Sequence, residues 1–326
     1  MDFRQAVLIY NPTSGRKRGD REKTALQARD ALAPTVGDVR LARTTCQGDA
    51  TRLARQAVAD GCDLVAVCGG DGTINETIRG MAGSDVPLLT LPAGTANVLA
   101  EEVSFPVDPR KVAASLPSLV ATKVPLGRVR QQGADENGSR VFLLMCGVGV
   151  DANIVYNLDT KLKQYLGLGA YWLGSLDQLQ KRRFQRFDVR IDGETFDNTF
   201  ALISKSRRYA GKLVIAPEAH LLAEHFQVVL FHGETPLRYV GYLAQAATQT
   251  LDQFEDVTFH HADRVELLAP AGGDVHIEVD GEYAGLLPAV VETVPDVLTL
   301  MLPPEYVERR PPPPQRSEAV PSVSRL

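Results

Sequence analysis

The sequence contains little cysteine. Its four cysteines are Cys46, Cys62, Cys68 and Cys146, and their spacing matches no metal-binding motif. Those at 62, 68 and 146 stand among apolar residues, which favours reduced thiols packed in a core. We therefore expect neither a disulfide framework nor a cysteine-based metal site.

The chain also lacks a net positive charge and long apolar runs. The formal net charge is −5, which gives no reason to expect nucleic acid as a partner. The chain has no run of about 18 apolar residues that would predict a membrane span. Met1 leads into a polar segment rather than a signal peptide. These absences predict a cytoplasmic protein, with any contact on the inner face of the membrane being peripheral.

A glycine-rich stretch at residues 63–80 organises the chain. The apolar run 64–68 is typical of a buried parallel strand, and Gly69, Gly70, Asp71, Gly72 and Thr73 follow it. Apolar residues then recur at helical spacing. A glycine turn between a strand end and a helix start is where α/β proteins bind phosphate. Asp71 within this turn indicates Mg²⁺ or an acid–base role, and a helix-capping aspartate is the alternative.

Two further glycine loops lie on either side of this stretch. Residues 11–15 follow the first predicted strand, and residues 92–97 follow the fourth. The predicted order of elements is β-α-β-α-β-α-β-α, which implies a parallel sheet with helices on both faces. The three loops then meet at the carboxyl ends of the strands. They predict one phosphate-binding edge, where Arg16 or Lys17 would offset phosphate charge.

The pattern changes near Thr122, where many short β segments separated by Gly, Asp and Asn begin, among them 141–148, 289–294 and 297–302. The predicted fold class is an α/β N-terminal domain with a parallel sheet, followed by a mainly antiparallel β-sandwich domain that contains one long helix. We expect the domains at 1–122 and 123–305, with the last strand free to return to the first domain. Residues 306–326 read as a disordered, proline-rich tail.

The long helix is predicted at 161–183, with Tyr165, Trp172 and a stripe of leucines. From Lys161 to Lys212 there are 11 Lys and Arg against 5 Asp and Glu, so this part of the chain is locally basic. A basic amphipathic helix with aromatic residues can dock on anionic membranes. The alternative is a core helix packed on the β domain. Membrane docking and core packing are compatible if one end of the helix is exposed.

Seven segments together resemble the lipid kinase family that includes bacterial diacylglycerol kinases and the sphingosine and ceramide kinases. In the family's order they are 11–15, 48–50, 69–76, 91–97, 146–152, 216–219 and 279–282. Gly-Gly-Asp-Gly-Thr is shared with NAD kinases and phosphofructokinases. The Asn-Pro-x-Ser-Gly start, the Leu-Pro-x-Gly-Thr-x-Asn loop and the late Asp-Gly-Glu make the lipid kinase resemblance specific.

The resemblance implies an ATP-dependent lipid kinase with its active site between the two domains. Domain 1–122 would bind the nucleotide, and domain 123–305 would bind a diacylglycerol-like or sphingoid lipid presented by a membrane. Asp71 would help to hold Mg²⁺ against the phosphates. The family's ATP-binding positions match Asn11, Pro12, Thr13, Ser14, Gly15, Thr44, Gly70, Asp71, Gly72, Thr73, Ile74, Asn75, Glu76 and Thr95.

The same resemblance implies a proton acceptor for the lipid hydroxyl. Glu282 matches it, with Asp280 beside it to orient the substrate or to bridge to the metal. Two residues apart on a regular strand, the two side chains would share a face. If the chain turns sharply there, only one of them reaches the substrate.

The sequence departs from the family at two places. The family loop after 216–219 carries Asp-Asp-Gly and a structural metal, whereas this chain has Leu222, Ala223, Glu224 and His225. Leu222 and Ala223 supply no carboxylate; Glu224 with His225 would have to replace them, and an exposed turn is the alternative. Val98 stands where many bacterial members have aspartate.

Two other functions are compatible with the sequence. One is a soluble-substrate kinase such as NAD kinase, although that family lacks the Asn-Pro-x-Ser-Gly opening. The other is a catalytically silent lipid or nucleotide sensor, which the presence of Asp71, Asp280 and Glu282 disfavours. Monomer and homodimer are both compatible with the sequence.

Overall fold

The structure is a computed structural model that describes residues 3–15, 20–131, 138–149, 184–269 and 273–309. Three predicted features lie outside the described residues: the helix at 161–183, the cations Arg16 and Lys17, and most of the proline-rich tail.

The first part of the chain alternates strands with helices, as the hydrophobic pattern predicts. The strands are β1 (Phe3–Tyr10), β2 (Val36–Arg43), β3 (Leu64–Gly69) and β4 (Leu88–Pro92). The helices are α1 (Arg21–Leu32), α2 (Asp49–Ala59), α3 (Asp71–Met81), α4 (Val98–Glu102) and α5 (Pro109–Ala114).

These four strands form a parallel sheet in the order β2-β1-β3-β4. All six residues of β3 are buried, as expected for a central parallel strand covered on both faces. Helix α2 buries the small residues Ala50, Ala54 and Ala57, so it packs closely on its neighbours. The parallel order brings the loops that follow β1, β3 and β4 to one edge of the sheet.

Strands dominate the rest of the described chain. They are β5 (Val120–Gln131), β6 (Arg140–Phe142), β7 (Met145–Gly149), β8 (Phe187–Ile191), β9 (Glu194–Asn198), β10 (Phe200–Ser204), β11 (Arg208–Tyr209), β12 (Leu213–Val214), β13 (Phe226–Phe231), β14 (Val257–Ala262), β15 (Arg264–Leu267), β16 (His276–Val279), β17 (Glu282–Leu286) and β18 (Ala289–Leu302). Two helices occur among them, α6 (Pro236–Thr248) and α7 (Pro304–Glu308).

The last long strand joins the two parts of the molecule. Strand β18 pairs parallel to β4 at one end, with Leu300 opposite Leu88, and antiparallel to β5 and β15 along its length. The first sheet therefore continues as β18-β15-β8-β9. The chain thus returns to the parallel sheet before it ends.

The second sheet is antiparallel, in the order β14-β13-β10-β7-β16-β17. An apolar core that includes Phe142, Val189, Phe226, Ile277 and Val291 lies between this sheet and the far half of the first. Antiparallel layers with alternating inward side chains are the arrangement of a β-sandwich. The predicted fold class, a parallel α/β domain followed by an antiparallel sandwich, is confirmed.

The prediction differs from the structure in several elements. Residues 306–308 were predicted to belong to the disordered tail, but they lie in α7, where Tyr306 is buried. Helix α6 was not predicted, although Thr235 accepts a hydrogen bond from the Arg238 backbone N–H and Pro236 opens the helix, which are ordinary helix-start signals. The predicted strand at 141–148 is two strands, β6 and β7, with a corner between them. The strands predicted at 289–294 and 297–302 are a single strand with an irregularity.

Candidate active site

A cleft of about 930 Å³ opens at the carboxyl ends of β1, β3 and β4. The hairpin between β16 and β17 closes it from the second sheet. The lining residues come from both parts of the molecule: Asn11, Pro12, Thr13, Ser14, Gly15, Arg43, Thr44, Thr45, Cys46, Gln47, Gly70, Gly72, Thr73, Glu76, Gly94, Thr95, Arg140, Gly281, Glu282 and Tyr283.

The loop after β1 is fixed by the side chain of Asn11. Its carbonyl oxygen accepts from the backbone N–H of Thr13 at 2.9 Å and from the Thr13 hydroxyl at 2.8 Å. Its amide nitrogen donates to the Thr73 hydroxyl at 3.1 Å, which ties this loop to the first turn of α3. The side chain of Arg21, in the first turn of α1, donates to the carbonyl of Ser14 at 2.8 Å. Two of the three predicted phosphate loops are therefore held together by direct hydrogen bonds.

The second and third glycine loops touch through their backbones. A Cβ placed on Gly94 would lie 2.5 Å from the Cα of Gly70, and one placed on Gly70 would lie 3.2 Å from the Cα of Gly94. Asn97 accepts from the Gly94 N–H at 2.7 Å and holds the third loop in this position. A side chain at residue 94 cannot fit without moving a loop, so glycine is required there.

The rim of the cleft beside Thr44 is fixed by Asp49 in the first turn of α2. Its carboxylate accepts from the Thr45 hydroxyl at 2.5 Å and from the Thr45 N–H at 2.8 Å. These bonds, with those from Arg52 and Cys46, hold the pKa of Asp49 well below its usual range. Asp49 therefore remains ionised, and its hydrogen bonds hold the rim of the cleft in place.

Asp71 is the first residue of α3, but its side chain turns toward a neighbouring helix. Its Oδ1 accepts from the N–H of Val98, the first residue of α4, at 2.8 Å. It borders a cavity of about 10 Å³ with Asp280, and it is not among the residues that line the large cleft. Burial raises the pKa of Asp71. Capping was the alternative interpretation of this residue, and the helix it caps is α4 rather than its own.

The remaining predicted ATP-binding residues on α3 fall on two different faces of the helix. Gly72, Thr73 and Glu76 line the cleft, whereas Ile74 and Asn75 are 5% and 2% exposed and border the small cavity behind the helix. Because successive helical residues are turned by about 100°, a run of seven cannot all face one ligand. The family motif matches the whole run, but the geometry brings only one face of it to the cleft.

Asp280 and Gly281 form a two-residue turn between β16 and β17. Both have positive φ, 48° and 80°, and Val279 pairs with Glu282 across the hairpin. Asp-Gly is a preferred pair for this tight turn. Of the two arrangements left open by the sequence, the structure has the sharp turn, and the side chains of residues 280 and 282 do not share a face.

The Asp280 carboxylate points into the protein. It accepts from the backbone N–H groups of Leu143 at 2.9 Å, Leu144 at 2.9 Å and Met145 at 3.0 Å. Burial, with a smaller contribution from the nearby Asp71 carboxylate, raises the pKa of Asp280 to about 6. Asp280 therefore fixes the β6–β7 corner to the hairpin, and it does not line the large cleft.

Glu282 is the carboxylate that faces the cleft from the second sheet. Its Oε2 lies 2.8 Å from Nη2 of Arg79, in the last turn of α3. Its Oε1 would be 3.6 Å from a Cβ on Gly72, in the first turn of the same helix. The side chains of Glu282 and Arg79 are 21% and 26% exposed, so solvent and a ligand both have access to the pair.

Sequence reasoning missed the arginines that line this cleft or pair with its residues. Arg79 could have been found, because residues 72, 76 and 79 fall on one face of a helix. Arg43 in β2 and Arg140 in β6 line the cleft from distant strands of the first sheet, and no local pattern brings them together. Among the described residues, no group of three His, Cys, Asp or Glu side chains could hold a metal ion.

Two family models match the chain and together account for both of its parts. The model described as the diacylglycerol kinase catalytic domain matches residues 5–129. The model described as the YegS C-terminal NAD kinase beta sandwich-like domain matches residues 145–302. The chain belongs to the diacylglycerol kinase family, and it is a kinase.

Curated relatives that match most of this chain are named diacylglycerol kinases. A diacylglycerol kinase of Bacillus subtilis (strain 168) is 27% identical over 312 residues, which are 94% of this chain and 99% of the relative. A diacylglycerol kinase of Mycobacterium tuberculosis (strain ATCC 25618 / H37Rv) is 28% identical over 260 residues, 78% of this chain and 82% of the relative.

Solved structures show the same fold. A crystal structure of a diacylglycerol kinase from Bacillus anthracis str. Sterne has a TM-score of 0.69 at 17% identity, covering 94% of this chain and 99% of that one. A second structure from that organism, of a proposed diacylglycerol kinase, has a TM-score of 0.77 at 20% identity. It covers 94% of this chain and 97% of that one. Within the described part of this chain, no helix has both the length and the apolar character needed to cross a membrane.

Proposed function

We propose that this kinase transfers the γ-phosphoryl group of ATP to a hydroxyl of a diacylglycerol-like or sphingoid lipid. One observation carries the proposal: the Glu282 carboxylate of the second sheet lies against α3, in the same cleft as the three glycine loops. Phosphoryl transfer requires little more than bound phosphates and a base near the acceptor.

ATP is the proposed phosphate donor because the glycine loops offer hydrogen-bond donors and a helix start to its phosphates. The start of α3 presents backbone N–H groups and the positive end of the helix dipole to the cleft. The hydroxyls of Thr13, Ser14, Thr73 and Thr95 lie on residues of the same walls. ATP would place its phosphates at these loops.

Mg²⁺ enters the proposal with the nucleotide. It is held in phosphotransferases by one or two carboxylates together with substrate phosphates and water, so a cluster of three protein ligands is not needed. Asp71 is the carboxylate of this loop, and its side chain would have to turn from the Val98 N–H toward the cleft to reach the phosphates. This residue would hold the ion, which would neutralise phosphate charge.

Glu282 acts as the proton acceptor, and Asp280 supports it from behind. A general base must come within hydrogen-bond distance of the hydroxyl that it deprotonates. Glu282 is the carboxylate on the second-sheet side of the cleft, where an acceptor would enter. Asp280 holds the turn that presents it.

The lipid acceptor is supported by the names of the curated relatives, which are diacylglycerol kinases. A lipid acceptor would be presented by a membrane that the protein contacts peripherally. NAD kinase activity is the enzymatic alternative, because the second domain is described as NAD kinase beta sandwich-like. A silent sensor would bind lipid or nucleotide without turnover.

The test incubates the full-length protein with labelled ATP and Mg²⁺ and with mixed micelles of diacylglycerol, ceramide or sphingosine, or with NAD. Mass spectrometry then identifies the products formed from a total lipid extract. We expect a phosphorylated lipid that is not formed by Glu282→Gln. Phosphorylation of NAD alone would establish the alternative, and binding without any product would establish a sensor.

A further inference from the structure

The loop 219–225 lacks the ligands of the structural metal that the family resemblance implies. Leu222 and Ala223 carry no ligating atoms in their side chains, and Glu224 is exposed. Oxygen ligands from several directions are what Mg²⁺ or Ca²⁺ requires. The described residues here do not fit such an ion.

A buried lysine contacts this loop instead. Lys205 follows β10 and is 0% exposed, and its Nζ donates a hydrogen bond to the main-chain carbonyl of Ala223. The Nζ also lies 5.9 Å from the centre of the Phe226 ring. A lysine is almost never fully buried unless its amino group has a partner. Here the partner is a carbonyl of the kind that would otherwise ligate a cation.

The other end of the loop is tied to a buried carboxylate. The N–H of Leu221 donates to the Tyr306 hydroxyl at 3.2 Å, and that hydroxyl donates to Glu102 at 3.1 Å. Glu102 is 0% exposed and also accepts from the backbone N–H groups of Arg207 at 2.9 Å and Arg208 at 3.2 Å. Helix α4, which ends at Glu102, is thereby joined to the loop and to the segment after Lys205.

The position of Lys205 gives this arrangement a link to the active site. Its backbone N–H donates to the carbonyl of Leu144 at 2.8 Å, and the N–H of Leu144 donates to the Asp280 carboxylate. The loop, Lys205 and the hairpin that carries Glu282 are therefore connected through consecutive hydrogen bonds.

We infer that the amino group of Lys205 takes the structural place that the family gives to a metal ion. It closes the loop 219–225 onto β10, and the fold needs no divalent cation there. The carbonyl of Ala223 cannot serve the lysine and an ion together, because two positive groups would compete for it. Burial lowers the pKa of Lys205 to about 7, with Glu224 opposing the shift, and both protonation states can donate to the carbonyl.

The first test uses the full-length protein without nucleotide, so that Mg²⁺ cannot act through ATP. Its Tm is measured after treatment with EDTA and again with added Mg²⁺ or Ca²⁺. We expect the same Tm in all three conditions. A Tm that falls with EDTA and is restored by either ion would overturn the inference. The result is independent of which substrate the kinase uses.

The second test replaces the lysine and follows hydrogen exchange in the loop. Lys205→Met keeps a long apolar side chain but has no donor, and Lys212→Met, at an exposed lysine, is the matched control. We expect amides of residues 221–223 to exchange at least about 10-fold faster in Lys205→Met, because the loop opens locally. Unchanged protection in that variant would overturn the inference. If Lys205→Met does not fold, the chelation result on the unmodified protein decides.

Discussion

The guanidinium of Arg79 lies 2.8 Å from the carboxylate of Glu282, although the two residues are separated by 203 positions in the sequence. The pair bridges the last turn of α3 and the hairpin of the second sheet. One helix therefore presents glycine amides to the cleft at its start and holds the proposed base at its end. We infer that Arg79 is a positioning residue for Glu282.

Replacing Arg79 by methionine should lower kcat about 10-fold or more, because a base that is displaced by a fraction of an ångström loses its alignment. Stability should change by less than about 1 kcal/mol, since the pair is partly exposed. Arg79→Lys should recover part of the rate. Steady-state kinetics with ATP and lipid varied separately would show a loss in kcat with little change in the KM for ATP.

A matched control is Arg128→Met, which breaks the partly exposed ion pair with Glu292, 2.7 Å away and outside the cleft. It should leave the rate unchanged. A faster Arg79→Met enzyme would mean that the ion pair restrains Glu282 instead of positioning it.

Glu282→Gln should reduce kcat by about 10²–10⁴-fold, because the amide cannot accept the proton from the lipid hydroxyl. The amide oxygen still accepts from Arg79, so the fold and the nucleotide affinity should be retained. Calorimetric titration with an ATP analogue checks the affinity. A variant that turns over at the normal rate would place the base elsewhere.

Asp280→Asn should lower stability more than it lowers the rate, which is the opposite of the pattern expected for Glu282→Gln. An amide at this position leaves one of three backbone N–H groups, that of Leu143, without its acceptor. The loss is about 1–3 kcal/mol of stability, as for a buried donor left unpaired. Urea unfolding would measure it, and the residual rate should exceed that of Glu282→Gln.

The sequence predicts those parts of the site that depend on local order. The three loops follow strands whose apolar runs are readable, so their meeting at one sheet edge could be foreseen. The Asp-Gly pair marks a tight turn, but whether Asp280 and Glu282 share a face depends on the φ values of the turn itself. The pairing of Arg79 with Glu282 depends on packing between distant segments, which periodicity does not encode.

Burial of polar groups was the least predictable feature. Lys205 stands in a Ser-Lys-Ser-Arg-Arg segment that looks solvent-exposed, yet its side chain is fully buried. Glu102 ends a short helix, and its sequence context gives no sign of burial either. Each is buried because a distant carbonyl, hydroxyl or N–H satisfies it in three dimensions, and only the tertiary structure reveals those partners.

Gly94→Ala should disrupt the contact between the second and third loops. The new methyl group would lie 2.5 Å from the Cα of Gly70, so one loop must move. We expect a loss of at least about 10-fold in kcat/KM for ATP and a cost of about 1–3 kcal/mol from overpacking. Gly241→Ala in α6 is the control, since its Cβ would meet only an ordinary contact at 3.4 Å. Normal kinetics in Gly94→Ala would show that the loops adjust freely.

The stability that Lys205 contributes should depend on pH. Its folded-state pKa is about 7, below the usual lysine value of 10.5, so the unfolded chain binds the proton more tightly. Raising the pH from 7 to 9 reduces the free energy by which protonation of this lysine favours the unfolded chain. The unmodified protein should therefore gain roughly 2 kcal/mol relative to Lys205→Met over this range.

Urea unfolding of both proteins at several pH values measures this difference. Groups near the lysine, among them Glu224, His220 and His225, are present in both proteins, so their titration largely cancels. A difference that stays constant with pH would show that the lysine keeps an ordinary pKa.

Asp71 caps α4, and we propose that it also holds Mg²⁺; substitutions can distinguish the two roles. Asp71→Asn keeps an oxygen that accepts from the Val98 N–H but removes the charge proposed to hold Mg²⁺. We expect a nearly unchanged Tm and a rate reduced by about 10²-fold or more, because phosphoryl transfer depends on neutralised phosphate charge. Asp71→Ala should lose the cap as well, at a cost of about 1 kcal/mol. An active Asn variant beside an inactive Ala variant would mean that Asp71 acts through helix α4 alone.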